Sequence, residues 1–142
     1  MFPDGSMKDI RLIVSEVEPW VIEYRDFDGT LHLLERSDLH RGLQQLCADF
    51  EALGCQVICA GARPDVAPSS MSRSMSGGRK AYVLQLGRHS RREDLVDIFD
   101  HAEPDQVGTV AQQNAYFRKW LESLPGRRWA RLKGIIHRMW RR

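Results

Sequence analysis

The sequence contains no apolar run near the roughly 18–20 residues that a membrane-spanning helix needs. Its opening, Met1-Phe2-Pro3-Asp4-Gly5-Ser6, has no basic stretch followed by an apolar one, so a secretory signal is not read there. A cytoplasmic chain is expected. Cysteine is scarce: Cys47, Cys55 and Cys59 make an odd number with no C-x-x-C pair. On a strand, Cys55 and Cys59 would sit about 13 Å apart at ~3.3 Å per residue, too far for a disulfide. Reduced, packed thiols are expected, in keeping with a cytoplasmic protein.

Motifs are equally sparse. His32, His40, His89, His101 and His137 are scattered, with no H-E-x-x-H and no Cys/His zinc spacing. No G-x-S-x-G elbow is present, and neither is a Walker loop or G-x-G-x-x-G, because Gly77-Gly78-Arg79-Lys80 runs straight into Ala81. No cofactor and no metal is called for. Asp94, Asp97 and Asp100 recur every three residues and would suit Mg²⁺ if a helix gathered them, but the polar face of that helix explains them as well. The pattern favours binding over catalysis.

What is present fits one small domain of 142 residues, 42% hydrophobic and 28% charged. The net charge of +2 hides an asymmetry. Residues 1–125 carry all 19 acids and a net charge of −5, whereas 126–142 carry seven Lys/Arg and no acid. A second basic zone, Gly61 to Arg92, holds seven Lys/Arg against Asp65 alone.

The pass along the chain predicts an α+β fold: a mainly antiparallel sheet of about five strands, covered by helices on one face. Residues 1–6 read as a loose leader, native or left over from cloning, with Met7 as an alternative start. Residues 7–125 form a single domain, and 126–142 a basic amphipathic helical tail. Alternating apolar residues predict strands over 9–17, 20–26 and 30–35, the last two joined by an Asp28-Gly29 turn. Leu39, Leu43, Leu46, Phe50 and Leu53 recur at helical spacing and predict a helix over 38–53, capped by Ser37 or Asp38 and stopped by Gly54. Cys55, Val57 and Cys59 predict a fourth strand, and 81–86 a fifth. Ser90 and Glu93 have capping-box spacing and predict a short helix over 92–101. Thr109 and Gln112 do the same for a helix over 110–124.

Two segments stand out as candidate contact surfaces. The first is the irregular stretch from Gly61 to Lys80, long for a compact domain. It holds five serines between 69 and 76, together with Arg63, Arg73, Arg79 and Lys80. Its hydroxyls and guanidinium groups suit an anion, so Arg63, Asp65, Ser72, Arg73, Arg79 and Lys80 are the candidate binding residues. The plainer alternative is an exposed connection that Met71 and Met75 tack onto the core. The second segment is the tail, where Arg127, Arg128, Trp129, Arg131, Lys133 and Trp140 are the candidate contacts. Such a helix could dock in a partner groove, track a phosphate backbone, or lie on an anionic membrane, the least favoured of the three.

The expected function is a small protein-binding module using loop 61–80. Small bacterial inhibitors, such as the immunity proteins that neutralise toxin domains, are an analogy of size and chemistry. Trp20 and Tyr24 would add exposed anchors if the sheet has an open face. One alternative is a nucleic-acid-binding domain that uses both basic segments, although the loop offers no aromatic platform for base stacking. Another is a phosphate-handling enzyme with Arg73, Arg79 and Lys80 as a clamp and Asp65 or His89 as the base.

Overall fold

The structure, a computed structural model, describes residues 1–125. The predicted tail, 126–142, lies outside the described residues. The chain opens as an antiparallel meander of β1 (Leu12–Val14), β2 (Val21–Arg25) and β3 (Leu31–Glu35). Asp26 shapes the turn before β3: its Oδ1 accepts from the amides of Asp28 and Thr30 at 2.9 and 3.0 Å. Alternation along β2 and β3 buries Ile22, Tyr24 and Leu34. It turns Ile13, Glu23 and Leu33 outward as one row across the three strands. Trp20 and Tyr24, expected as exposed anchors, are instead buried on the inner side.

The helix α1 (Leu39–Ala52) follows because its apolar stripe is long enough to cover that inner face. Asp38 caps it, its Oδ1 accepting from the Arg41 amide at 2.8 Å. Leu39, Leu43, Leu46 and Phe50 are all buried, each contributing roughly 1.5–3 kcal/mol by leaving water. Leu53 falls past the last helical turn and is exposed.

Beyond α1 the single five-stranded sheet gives way to six strands in two three-stranded antiparallel sheets. The second sheet comprises β4 (Val66–Ala67), β5 (Lys80–Val83) and β6 (Leu95–Asp97), in that order. The predicted strand at 55–59 is absent although Cys55 and Cys59 are buried as the alternation required. Its backbone is used elsewhere. The Cys55 amide returns to the Phe50 carbonyl at 2.9 Å, and the Met1 ammonium donates to the Gln56 carbonyl at 2.5 Å. Residues 1–6 therefore lie against the body, with Phe2 packed on Phe27 at 5.0 Å between ring centroids.

The predicted helix 92–101 is likewise replaced, by a 3₁₀ turn (Arg92–Asp94) that leads into β6. Asp94 does cap backbone here, accepting from the Arg91 amide at 2.9 Å. The next three residues, however, gain a full ladder against Lys80, Ala81 and Tyr82 of β5, and tertiary pairing overrides the local signal. The stretch read as an irregular loop is also ordered. It contains a 3₁₀ turn (Ala60–Ala62), β4 and a short helix, α2 (Ser70–Ser76).

One core joins these parts, running from Ile22 and Leu34 through Leu43 and Leu46 to Val66, Ala81 and Ile98. Close approach at its centre depends on Gly61, where a Cβ would lie 2.4 Å from Leu43 Cδ2 and 2.8 Å from Ile98 Cβ.

The last helix, α3 (Val110–Ser123), starts at the predicted Thr109–Gln112 capping box. It is fastened largely by polar side chains that reach backbone outside the helices. Gln113, buried, points its amide at the carbonyls of Gly61, Arg63 and Val66 at 2.9, 3.1 and 3.1 Å, and accepts from Gln44 Nε2 at 2.8 Å. Tyr116 donates to the Leu84 carbonyl at 2.9 Å, and Trp120 Nε1 to the Arg88 carbonyl at 3.0 Å. These donors stand at i, i+3 and i+7, so they form one stripe.

Leaving buried carbonyls without a donor costs about 1–3 kcal/mol per group. Gln113→Glu keeps the shape but sets a carboxylate against three carbonyl oxygens. Urea unfolding is expected to show a loss of about 3 kcal/mol or more for this variant, matching or exceeding Gln113→Ala. A Gln113→Glu protein as stable as the parent would show that packing, rather than donation, holds α3.

Candidate functional site

The segment 61–80 is positioned from beneath. Ser69 caps α2 by accepting from the Ser72 amide at 3.0 Å, and Gly77 ends it in the left-handed region at φ +61°. A Cβ at Gly77 would fall 2.6 Å from the Trp20 ring, so only glycine lets α2 stop against that indole. The Gly77 carbonyl then accepts from the Leu39 amide at 2.6 Å, tying the end of α2 to the start of α1.

The inner side of α2 is polar. Ser72 is buried and donates to the Lys80 carbonyl. Arg73 reaches across to Asp38, Nη1 to Oδ2 at 2.6 Å, so one buried carboxylate caps α1 and holds α2. The outer side is the reverse of the expected tacking. Met71 and Met75, one turn apart, are 71% and 79% exposed, with Ser70 and Ser74 exposed beside them.

The predicted cations are each engaged by a carboxylate. Arg63 grips Asp65 through two parallel bonds of 2.9 and 2.8 Å, which raise the Arg63 pKa further. Arg79 Nε donates to Asp97 Oδ2 at 2.9 Å, and Lys80 Nζ lies 3.8 Å from the same oxygen. Arg88 makes a second fork, onto Asp94 at 3.0 and 2.9 Å, and those bonds hold the Asp94 carboxyl below its usual range. Asp94 and Asp97 thus serve arginines on two different elements. Asp65, a candidate base, is occupied by Arg63, and His89 is exposed. Ser72 and Arg73 come together on α2, while Arg63 with Asp65 and Arg79 with Lys80 form separate pairs. The tail residues Arg127, Arg128, Trp129, Arg131, Lys133 and Trp140 lie outside the described residues.

Arg79 also borders a cavity of about 530 Å³ lying between residues 1–10, β1 and the 55–59 segment. Its walls include Leu12, Val14, Phe27, Val57 and Phe99, with Lys8, Asp9 and Arg79 as charged members. No single motif marks this cavity in the sequence, because its lining comes from seven separate stretches of chain.

The thiols are poorly placed for chemistry. All three are buried, and burial pushes the Cys47 and Cys59 thiols up, away from the reactive thiolate. His40, two turns from Cys47 on the same face of α1, is buried with neither ring nitrogen hydrogen-bonded. Among the described residues no His/Cys/Asp/Glu cluster could hold a metal, and no helix is long and apolar enough to cross a membrane.

Burial, reinforced by the nearby Arg73 and Arg41 charges and opposed by Asp38, lowers the His40 pKa to about 4. In the unfolded chain the imidazole takes its proton near its ordinary value of 6.5. The unfolded state therefore binds more protons between these values, and stability falls as pH drops from 6.5 toward 4. The loss attributable to His40 reaches about 3 kcal/mol. Denaturant unfolding across this range is expected to show a shallower decline in His40→Leu than in the parent. Parallel curves would assign the acid sensitivity to other groups.

No protein-family model matches the chain, and no curated protein matches it.

Proposed function

We propose that this chain is a protein-binding module that presents the outer face of α2 to a partner. The observation that carries this reading is the exposure of Met71 and Met75 on a helix whose inner side is fixed by Ser72 and Arg73. A methionine pair gives adaptable apolar contact, and a clamped helix presents it with little further loss of conformational entropy. The flanking Ser70 and Ser74 supply a polar rim. An inhibitor of the immunity kind is the analogy of size and chemistry for this reading. The setting is the cytoplasm, where three buried reduced thiols persist.

The ion pairs also separate this reading from its rivals. Arg63 and Arg73 are committed to Asp65 and Asp38, and Arg79 and Lys80 share Asp97, so a phosphate backbone tracking all four cations, or a phosphate clamped by Arg73, Arg79 and Lys80 together, would have to break several of these pairs at once. The outer face of α2 competes with nothing.

The test is capture from native lysate by tagged protein, with and without nuclease, washed at low and high salt. The double variant Met71→Glu/Met75→Glu serves as the comparison. One stoichiometric protein is expected to survive nuclease and high salt, because apolar contact is little screened. The double variant should bind that protein about a hundredfold more weakly while keeping the parent's melting temperature. Capture that disappears with nuclease or salt, or that ignores the methionine changes, would overturn the reading.

A further inference from the structure

The cavity beside β1 has no part in the α2 surface. At about 530 Å³ it falls within the roughly 300–1,000 Å³ range of small-molecule pockets. Its walls are mostly aliphatic and aromatic, drawn from the N-terminal segment, β1, α1 and the 55–59 segment. Besides the Met1 ammonium, which donates to the Gln56 carbonyl, two cationic side chains border it, and each is backed by an aromatic ring that also lines it. Lys8 Nζ lies 5.1 Å from the Phe27 centroid, and the Arg79 guanidinium carbon lies 5.5 Å from the Phe99 centroid.

These cations still have capacity to spare. Among the described residues Lys8 has no carboxylate partner, and its ammonium lies over the Phe27 ring. Arg79 uses Nε on Asp97, which leaves both terminal nitrogens without a hydrogen bond among the described residues. Asp9 is the only carboxylate in the lining. A cationic guest would therefore meet two positive side chains and one negative. A neutral apolar guest would fill the walls but leave the cations unused. We propose that this cavity binds a small amphipathic anion: an apolar ring system or short acyl chain lodged among Leu12, Val14, Val57 and Phe99, with one anionic head group between Lys8 and Arg79. The aromatic rings beneath the cations favour both ends of such a guest, through apolar contact below and cation–π support above.

The test uses two fluorescent probes that differ by one sulfonate, 8-anilino-1-naphthalenesulfonate and neutral N-phenyl-1-naphthylamine, titrated into the full chain. The anion is expected to bind saturably at one site and at least about fivefold more tightly than the neutral probe. Lys8→Met, which keeps most of the stem, should weaken the anion by about fivefold and leave the neutral probe unchanged. Val57→Trp, on a segment outside regular structure, should obstruct the apolar end of the cavity and weaken both probes by at least about fivefold. Decanoate should displace the bound anion, whereas decyltrimethylammonium, a similar chain with a cationic head, should not. Equal affinity for the two probes, indifference to Lys8→Met, or displacement by both amphiphiles would overturn the proposal. So would anion binding that is undiminished in Val57→Trp, since the probe would then sit on another apolar surface. Should Val57→Trp fail to fold, Lys8→Glu replaces it: the sign reversal must abolish the preference for the anion, and its survival would overturn the proposal.

Discussion

A chain that runs through its own core without regular structure must find donors for its carbonyls there, and one side chain meets most of that demand. From the 3₁₀ turn through to the start of β4, the backbone of residues 61–66 passes behind α1 with three carbonyls facing inward. Gln113 supplies the donors, its two amide hydrogens shared among three acceptors. The arrangement explains why α3 lies where it does, and why its inner stripe is polar where an ordinary amphipathic helix would be apolar. It also explains Gly61: the segment must pass close to Leu43 and Ile98 for its carbonyls to come within reach of the amide.

A second theme is the inward use of charge. Arginine is plentiful, yet Arg63, Arg73, Arg79 and Arg88 each bind a carboxylate that joins separate stretches of chain or closes a turn. Asp38 shows the economy best. It caps α1, anchors α2 through Arg73 and lies beside Arg41, all from a nearly buried position. Exposed pairs of this kind stabilise little, but one this sheltered fixes geometry. The docking face proposed for a protein partner is the one free of such duties, the methionines and serines on the outside of α2.

Much of the fold was legible wherever apolar periodicity was strong and partners were close in sequence. The meander, α1 with its Asp38 cap and α3 with its Thr109 box all follow from local pattern. The remainder depended on distant partners. Cys55, Val57 and Cys59 alternate like a strand, but their backbone bonds go to the end of α1 and to the N-terminus. Leu95–Asp97 follow a capping signal, yet β5 lies ready to pair with them. The helix α2 did leave a trace in Ser69 and Gly77-Gly78, a cap and a stop eight residues apart that serine-rich composition obscured. For the candidate site, residue type was informative and direction was not. Composition singled out serines and arginines, but Ser72 and Arg73 turn inward while the two methionines turn out. The β1 cavity left no trace, since seven short stretches must meet before it exists.

The clasp between Arg73 and Asp38 carries a consequence for how this surface can change over time. Every contact that holds α2 in place comes from its inner residues and its two ends. Of the outer side chains, Met71 and Met75 are exposed and Ser74 bonds only the Ser70 carbonyl of its own helix, so none of them reaches the body beneath. A lineage carrying this scaffold could rewrite these outer positions, and with them the proposed docking face, at little cost to the stability of the body.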